Sequence, residues 1–431
     1  MRVVKFGGTS VRDAACLGRA AAVVGPRRAG GVVVVVSAAA GVTRRLLYLG
    51  HAAAASLSPP VEQELRAFGE LHGETLAGLD LEPGAAETTG AALRRLFEAL
   101  RERLAAIAAR GACEPADQDA VMAFGERLSS TLMHAALVRH GWPAQRIDAR
   151  QVVITDARFR QARPDMVAID ARAVRTIAPL LAAGAVVVTE GFIGATPQGV
   201  TTTMGFEASD LTAALLGAAL AAEEIEIRTD VPGMLTTGHP AVPQPRLVPR
   251  LSYDEAAELA LFGAKVLHPD TVAPARARGI PLRILDAADP DGAGTWIGEE
   301  TGLGDAGART APGGTRSSEE EGPRSGNART ARAGRVRAIA VTENPEDESF
   351  AGVRETLRRQ HPGGWAGRSV VCPVGAGIGS AATVIDALAA ALRGVPGAFP
   401  LERRPHALPV DVPRERAGEV VARLHAALIP M

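Results

Sequence analysis

The segment Val3–Val11, VVKFGGTSV, contains a cation, two adjacent glycines and two hydroxyls in an arrangement that suits phosphate chemistry. Gly7 and Gly8 allow the backbone to approach an anion closely, and a helix that begins near Ser10 would point its free N–H groups at that anion. Lys5 adds a compact positive charge of the kind that neutralises β- and γ-phosphates. The Gly-x4-Gly-Lys spacing of a Walker A loop is absent. The segment is therefore either a distinct phosphate-binding turn or a plain strand-to-helix turn with a surface lysine.

Polar side chains that could take part in chemistry also follow later predicted elements. Ser37 and Thr43 lie in a Gly-containing turn after an all-valine run, and Glu126 lies inside a predicted helix. Thr229 and Asp230 end a predicted strand at a Pro-Gly turn, which is where open α/β sheets bind ligands. Taken alone, Glu126 is more simply explained as a solvated helix charge than as a ligand.

The pattern of apolar residues predicts an α/β fold with a mostly parallel sheet covered by helices on both faces. Short β-branched runs predict strands at Val32–Val36, Ala185–Thr189, Ile225–Thr229 and Ile280–Leu285. Longer amphipathic runs predict helices at Ala91–Ala109, Ala116–Arg139, Asp210–Ala222 and Ser252–Leu267.

Two helix boundaries have specific signals. Ser252 and Glu255 form a capping box that starts the last of these helices, and Gly141 is suited to stop the second. Lys265 then lies late in its helix, where a cation interacts favourably with the helix dipole. A surface lysine explains that position without any ligand.

Length and composition limit the class of protein. A chain of 431 residues exceeds the usual size of one core, so we expect two or three domains. The net charge of −1 offers no basic surface for nucleic acid, and we expect no membrane span because no long uncharged apolar run occurs. The cysteines are few and far apart, which predicts no disulfide framework, no metal site and a reducing cytoplasm.

The order and spacing of several motifs carry a family resemblance. They read KFGGTSV, GERLSS, RFRQARPD, GFIG, TTTMG with SDLTAALLGAAL, TDVPGMLTT, LSYDEAAELALFGAKVLHP and GIPLRI. From Met1 to about Ile297 the chain resembles aspartate kinases of the amino-acid kinase superfamily, and is most similar to the monofunctional, lysine-inhibited class.

The resemblance implies a reaction in which ATP, accompanied by Mg²⁺, phosphorylates the side-chain carboxylate of L-aspartate to give 4-phospho-L-aspartate. It implies that Asp210 organises Lys5 for transfer, while Thr43 and Glu126 hold the amino acid, Glu126 through the ammonium group. The implied phosphate- and nucleotide-binding residues are Lys5, Gly7, Gly8, Ser10, Ser37, Thr229, Asp230 and Lys265.

Two loops depart from the family pattern. Where the family reads Gly-Arg-Gly-Gly, this chain reads Gly205-Phe206-Glu207-Ala208, so the arginine that clamps the substrate α-carboxylate is missing. Phe206 cannot make that bidentate contact, a loss of about 2–5 kcal/mol, and Glu207 adds a negative charge near anionic ligands. After TDVPGMLTT the chain reads Gly238-His239-Pro240 in place of Asp-Pro-Arg. Arg228 and Glu190 also stand where the family has an aromatic residue and a glutamine.

Three hypotheses about function follow from this comparison. The chain is an aspartate kinase that uses another arginine, such as Arg158 or Arg160; or it is a kinase of a different carboxylate, with Phe206 as an apolar wall; or it is a pseudokinase that binds or regulates. Retention of the other implied site residues argues against the pseudokinase, and the missing arginines argue against unchanged aspartate binding. We adopt aspartate kinase, working on a small-molecule acceptor as a homodimer.

The sequence divides into a predicted kinase domain at 1–297, a linker at 298–334 and a C-terminal module at 335–431. The linker contains GARTAPGGTRSSEEEGPRSGNARTARAG, whose lack of large apolar residues predicts disorder. The module holds segments that resemble ACT domains, SVVCPVGAGIGSAATVIDALAAAL and HALPVDVPRERAGEVVARLHAALIP. About a hundred residues are too few for the two complete ACT domains of the family, so we expect a degenerate regulatory or dimerisation module.

Overall fold

A computed structural model describes residues 1–27, 30–264, 267–299, 335–342 and 367–429. Lys265 and most of the predicted linker lie outside these described residues. So does the segment Glu348–Gln360, for which the sequence also predicts a helix. The chain forms two compact units, one made of Met1–Met234 and Val266–Trp296, the other of Leu235–Lys265 and Ile297–Met431. The segment Leu235–Lys265, placed in the kinase domain by the sequence boundary at 297, thus belongs to the second unit.

The secondary structure alternates short strands with longer helices. The strands are β1 (Arg2–Phe6), β2 (Val32–Val36), β3 (Ala144–Arg146), β4 (Val186–Glu190), β5 (Ile193–Ala195), β6 (Thr201–Thr203), β7 (Glu224–Thr229), β8 (Arg250–Ser252), β9 (Leu282–Asp286), β10 (Thr295–Gly298), β11 (Ala338–Thr342), β12 (Arg368–Val374), β13 (Phe399–Pro400) and β14 (Val410–Pro413). The α-helices are α1 (Ala14–Val24), α2 (Val42–Ala54), α3 (Ser58–Gly78), α4 (Pro83–Arg110), α5 (Pro115–Met122), α6 (Phe124–Arg139), α7 (Met166–Thr176), α8 (Ala178–Ala182), α9 (Ser209–Ala219), α10 (Tyr253–Leu261), α11 (Val272–Ala277), α12 (Ala382–Leu392) and α13 (Ala417–Leu428).

The first unit is built on parallel strands in the order β3-β4-β2-β1-β7-β9. Every residue of Val32–Val36 is buried, as expected for a parallel strand covered on both faces. This confirms the predicted α/β fold with a mostly parallel sheet. Because β1 lies between β2 and β7, the turns that follow these strands meet at the carboxyl edge of the sheet.

Helices cover the two faces of this sheet. Val4 and Phe6 of β1 share a core cluster with α1, α2 and α6. Successive residues of a strand point to opposite faces, so Lys5 points away from this cluster. Helix α9 packs against β1, β2 and β7 on the face to which Lys5 points. The alternation of residues along β1 therefore places the Lys5 side chain on the face that α9 covers.

Two predicted helices differ from the observed ones. The helix predicted at Ala116–Arg139 is found with one interruption, because α5 and α6 meet at Ala123, whose ψ of −19° tightens the turn toward 3₁₀ geometry. The helix predicted at Ser252–Leu267 has the right start, since Ser252 Oγ accepts from Glu255 N at 3.1 Å and Glu255 Oε2 accepts from Ser252 N at 2.8 Å. It ends too late, because α10 stops at Leu261 before Gly263, whose φ of +100° ends the helix.

The second unit contains an antiparallel sheet with the order β11-β12-β14-β13, packed against α12 and α13. Helix α10 joins this unit through polar contacts. Arg404 Nε donates to both oxygens of Glu258 at 2.8 and 2.7 Å, and Glu255 Oε1 accepts from Ala376 N at 3.0 Å. Within the described part of the chain, none of the helices has the length and apolarity that crossing a bilayer requires.

Candidate active site

A buried ion pair marks the carboxyl edge of the first unit's sheet. Lys5 Nζ lies 2.6 Å from Asp210 Oδ1, and only 8% and 4% of the two residues are exposed. Asp210 stands in the first turn of α9, where the helix dipole favours a negative charge. The pair holds the Lys5 ammonium at the end of β1, close to the glycine turn.

The glycine turn after β1 is packed tightly against the turn after β2. A Cβ on Gly8 would lie 2.7 Å from the carbonyl oxygen of Ala38, so a larger residue cannot occupy this position without displacing backbone. Ala40 N donates to Gly8 O at 3.1 Å, and Ser37 N donates to Phe6 O at 3.1 Å. The predicted phosphate-binding residues Gly8 and Ser37 therefore belong to two turns that the structure brings together.

Ser10 has an unsatisfied hydroxyl at this turn. The residue is only 6% exposed, and its buried Oγ has no hydrogen-bond partner among the described residues. Buried polar groups in folded proteins nearly always have a partner, so a ligand oxygen would complete this one. Gly7, three residues before Ser10, donates its N–H to Arg228 O at 2.9 Å.

Three predicted nucleotide-side residues line one cavity of about 220 Å³, namely Ser10, Thr229 and Asp230. Thr229 Oγ1 donates to Asp230 Oδ1 at 3.1 Å, which orients the two side chains at the end of β7. The remaining lining residues are Thr9, Arg12, Cys16, Arg19, Ala20, Asp286, Ala287 and Ala288. The structure thus joins the turns after β1, β7 and β9 around one space.

Glu126 is a half-satisfied carboxylate in the first turn of α6. It is 3% exposed, and its Oε1 accepts from Ala38 N at 3.0 Å, while its Oε2 has no hydrogen-bond partner among the described residues. Burial raises the pKa of Glu126 to about 8. Ala38 follows Ser37, and Thr43 lies half-buried in the first turn of α2 that follows. Glu126 therefore presents one open oxygen near the predicted phosphate turns, where a cationic ligand would stabilise its charge.

The divergent loop at 205–208 packs against an apolar cluster of the first unit. The ring of Phe206 stacks on Phe192 with a centroid separation of 6.4 Å and an interplanar angle of 29°, and it lies against the apolar cluster that contains Met204 and Ala208. Glu207 is exposed and has a φ of +67°, a conformation that favours glycine. Phe206 therefore packs against its own unit while it stays partly exposed, and its contact with the acceptor stays a prediction.

Asp119 is a buried carboxylate that the sequence analysis missed. It is fully buried and accepts four hydrogen bonds, from Arg160 N at 3.0 and 2.9 Å, from Thr203 N at 2.8 Å and from Thr203 Oγ1 at 2.7 Å. Desolvation raises its pKa, against the lowering effect of these bonds. No local pattern signals this role, because the bonding partners are far away in the chain.

Two further departures from the family pattern, Glu190 and Arg228, make contacts inside the first unit. Glu190 is fully buried and accepts from Ser130 Oγ at 2.6 Å and from Ala149 N at 2.7 Å. Arg228 is fully buried and lies 2.9 Å from Glu226 through Nη2. Both groups are satisfied inside the first unit. In the residues that the structure describes, no group of three His, Cys, Asp or Glu side chains is arranged to hold a metal ion.

Residues 1–286 match the Amino acid kinase family. Lysine-sensitive aspartokinase 3 of Escherichia coli (strain K12) is 37% identical over 318 residues, which are 69% of this chain and 64% of that protein. Aspartokinase 1, chloroplastic, of Arabidopsis thaliana is 34% identical over 299 residues, 68% of this chain and 51% of that protein. The chain therefore matches less than two thirds of the length of these relatives.

Solved structures match over nearly the whole chain. E. coli aspartokinase III in complex with aspartate and ADP has a TM-score of 0.79 at 27% identity, with 99% of each chain covered. The same enzyme in complex with lysine and aspartate has a TM-score of 0.74 at 27% identity, with 100% of this chain and 99% of that chain covered. From the matched residues and these relatives, the chain belongs to the amino acid kinase family.

Proposed function

We propose that this protein is an aspartate kinase, which transfers the γ-phosphoryl group of ATP to the side-chain carboxylate of L-aspartate. The observation that carries the proposal is the pairing of Lys5 with Asp210 at the turn where Ser10 Oγ is unsatisfied. The E. coli enzyme with a TM-score of 0.79 to this chain was solved with aspartate and ADP, which supports the same pair of ligands here.

The chemistry requires positioning and charge neutralisation more than acid–base catalysis. The acceptor carboxylate is already an anionic nucleophile; one of its oxygens bonds to the γ-phosphorus as the bond to the β–γ bridging oxygen breaks. The products are 4-phospho-L-aspartate and ADP, and no proton has to move. Lys5 neutralises charge on the transferring group, Asp210 fixes Lys5, and Ser10 donates to a phosphate oxygen. Gly7, Gly8 and Ser37 line the phosphates.

The acceptor is held by its amino group. Glu126 has one open, buried carboxylate oxygen, and an ammonium ion is the ligand that such an oxygen binds best. Thr43 stands in the first turn of α2, a few residues after Ala38, whose N–H donates to Glu126. Thr229, Asp230 and Lys265 serve the nucleotide in this proposal.

Mg²⁺ would enter as part of MgATP. The described residues offer no cluster of acidic or imidazole ligands, and Asp210 is engaged with Lys5. The ion would therefore be held by phosphate oxygens and water, as is common for Mg²⁺, and would neutralise phosphate charge.

Trapping of the acyl phosphate tests the proposal directly. Purified protein is incubated with MgATP, hydroxylamine and a panel of carboxylates, and the hydroxamate is measured. Turnover of aspartate is the expected result. Turnover of a different carboxylate alone would support the second hypothesis, and ATP binding without any turnover would support the pseudokinase. The named relatives favour neither of these, since they are aspartokinases.

We further propose that the C-terminal module is a degenerate ACT-like regulatory or dimerisation module, and that the protein works as a cytoplasmic homodimer in amino-acid biosynthesis. The likeness to E. coli aspartokinase III, which covers 99% of this chain, supports the module. Sedimentation equilibrium tests the dimer, and a monomer at all concentrations would contradict it.

A further inference from the structure

The loop at 205–208 supplies no cation, yet aspartate has an α-carboxylate in addition to the carboxylate that reacts. We propose that Arg160 binds the α-carboxylate of the acceptor, and that Asp119 is the positioning residue that holds Arg160 in place. This assignment rests on the proposed function, because it names the group that would recognise the acceptor of that reaction.

The backbone at Arg160 runs beside the loop that lacks the arginine. The carbonyl oxygen of Arg160 lies 3.8 Å from the position that a Cβ would take on Gly205. Ala162 N donates to Thr203 O at 3.0 Å, so the same segment is also paired with the end of β6. A guanidinium at position 160 is therefore carried by the chain segment that borders Gly205.

Asp119 joins this segment to the helix that leads to Glu126. Its carboxylate binds Arg160 N and Thr203 N, so one buried side chain fixes both the 158–162 loop and β6. Asp119 and Glu126 are seven residues apart, on the consecutive helices α5 and α6 that meet at Ala123. The chain segment that carries Glu126 therefore also carries the carboxylate that fixes the backbone of the 158–162 loop.

The conformation of Arg160 points to a functional constraint. Its φ is +71°, in the left-handed region that glycine favours and that strains a residue with a side chain. Strain of this kind persists where the surroundings impose it, and here the hydrogen bonds that Arg160 N donates to the buried Asp119 do so. A glycine would relieve the strain, so an arginine at this position needs a compensating role.

Arg158 is a weaker candidate for the same role. Its side chain is 59% exposed, whereas Arg160 is half-buried and its backbone borders Gly205. An arginine fork binds a carboxylate bidentately, and such a contact is stronger where water is partly excluded. Arg160 is therefore the residue proposed to bind substrate, and Arg158 serves as its matched control.

Arg160→Gly is the decisive variant, because it removes the guanidinium while relieving the backbone strain. We expect the KM for aspartate to rise at least about thirtyfold, the lower end for loss of a buried charge pair, with the KM for ATP unchanged. The melting temperature should stay the same or rise. Arg160→Lys should fall between wild type and Arg160→Gly, and Arg158→Ala should leave the KM for aspartate unchanged.

A second measurement compares aspartate with its α-amide as acceptors. The preference for the acid over the amide would not change if Arg160 had only a structural role. Wild type should discriminate strongly against this acceptor, whereas Arg160→Gly should treat the acid and the amide alike. Asp119→Asn should raise the KM for aspartate, and combining it with Arg160→Gly should add little, because both changes remove one interaction.

The outcomes separate this assignment from the proposed function. A wild type that turns over aspartate, with Arg160→Gly unchanged in both KM and preference for the acid, overturns the role of Arg160 alone. A wild type that neither phosphorylates aspartate nor binds it by calorimetry overturns the reaction and the assignment together.

Discussion

The ammonium of Lys5 and the carboxylate of Asp210 are 2.6 Å apart at the carboxyl edge of the sheet, where one belongs to a strand and the other to the first turn of a helix. This contact ties the glycine turn after β1, the predicted phosphate-binding turn, to the loop at 205–208, which leads directly into α9. The two halves of the proposed site, phosphate and acceptor, are therefore joined by one ion pair.

Lys5→Met should abolish turnover, because it removes the cation that neutralises the transferring group while keeping a side chain of similar length. The same change leaves Asp210 buried without its partner, which should lower the free energy of unfolding by about 3–5 kcal/mol. Adding Asp210→Asn should recover part of that stability and none of the activity. Denaturant unfolding and the hydroxamate assay measure the two effects, with circular dichroism to show that each variant is folded. Near-normal turnover by Lys5→Met would contradict the mechanism.

The pH dependence of acceptor binding should follow Glu126. Its pKa is raised to about 8 by burial, so at neutral pH the free enzyme holds Glu126 mostly protonated. Binding of an ammonium group needs the ionised form, so kcat/KM for aspartate should rise as pH increases toward 8 and then level off. Glu126→Gln should give a lower value without this rise. A wild-type profile that is flat between pH 6 and about 8 would contradict the role of Glu126.

The raised pKa of Glu126 also predicts the direction in which the free energy of unfolding changes with pH. Between the ordinary carboxyl pKa and about 8, the native state holds a proton that the unfolded state has released, so the free energy of unfolding falls as pH rises through this window. Glu126→Gln should remove that decline. Urea unfolding of both proteins at several pH values measures it, and equal slopes would contradict the pKa assignment.

Substitution of the two turn glycines should have unequal effects. A Cβ at Gly8 meets the Ala38 carbonyl oxygen at 2.7 Å, whereas the nearest atom to a Cβ at Gly7 is 3.5 Å away. Gly7 also has an ordinary φ of −69°. We expect Gly8→Ala to raise the KM for ATP strongly by pushing apart the turns after β1 and β2, and Gly7→Ala to be mild. Equal effects would show that the packing of Gly8 is not what shapes the phosphate turn.

Lysine should not act as an effector through the turn after β12. The backbone amides there already have partners, since Ala376 N donates to Glu255 Oε1 at 3.0 Å and Gly377 N donates to His406 Nδ1 at 3.3 Å. An amino-acid carboxylate would have to displace these bonds. Thermal melting with millimolar L-lysine should show no shift, with ATP as the positive control. A saturable rise in melting temperature would contradict the proposal of a degenerate module.

The sheet of the first unit could be predicted from sequence because its signals are local. Five consecutive valines at Val32–Val36 give β2 its observed bounds, and Gly141, with a φ of +78°, follows the end of α6 as its position indicates. The capping box at Ser252 is found as predicted. The end of that helix could not be predicted, because its last turns are decided by the left-handed backbone at Gly263 and by partners in the second unit.

Candidate site residues could be predicted only where they form part of a short local sequence motif. Lys5 and the turn glycines could be inferred from one segment, but Asp119 binds residues 41 and 84 positions away. Such pairings depend on the fold, and a single aspartate in a helix gives no sign of them. The stacking of Phe206 on Phe192 could not be predicted from the sequence either, because it follows from the path of the loop after β6.

The division of the chain has a consequence for synthesis on the ribosome. Leu235–Lys265 belongs to the C-terminal unit, although the chain then returns to the first unit for Val266–Trp296. The carbonyl oxygens of Thr236 and Phe262 accept hydrogen bonds from Ile339 N and Thr342 Oγ1, both at 2.8 Å, and these donors are made much later. Because the ribosome adds about 5–20 residues per second, these partners of α10 are synthesised several seconds after the helix itself. The nascent protein therefore passes through a stage in which the sheet of the first unit is complete while α10 still lacks these partners.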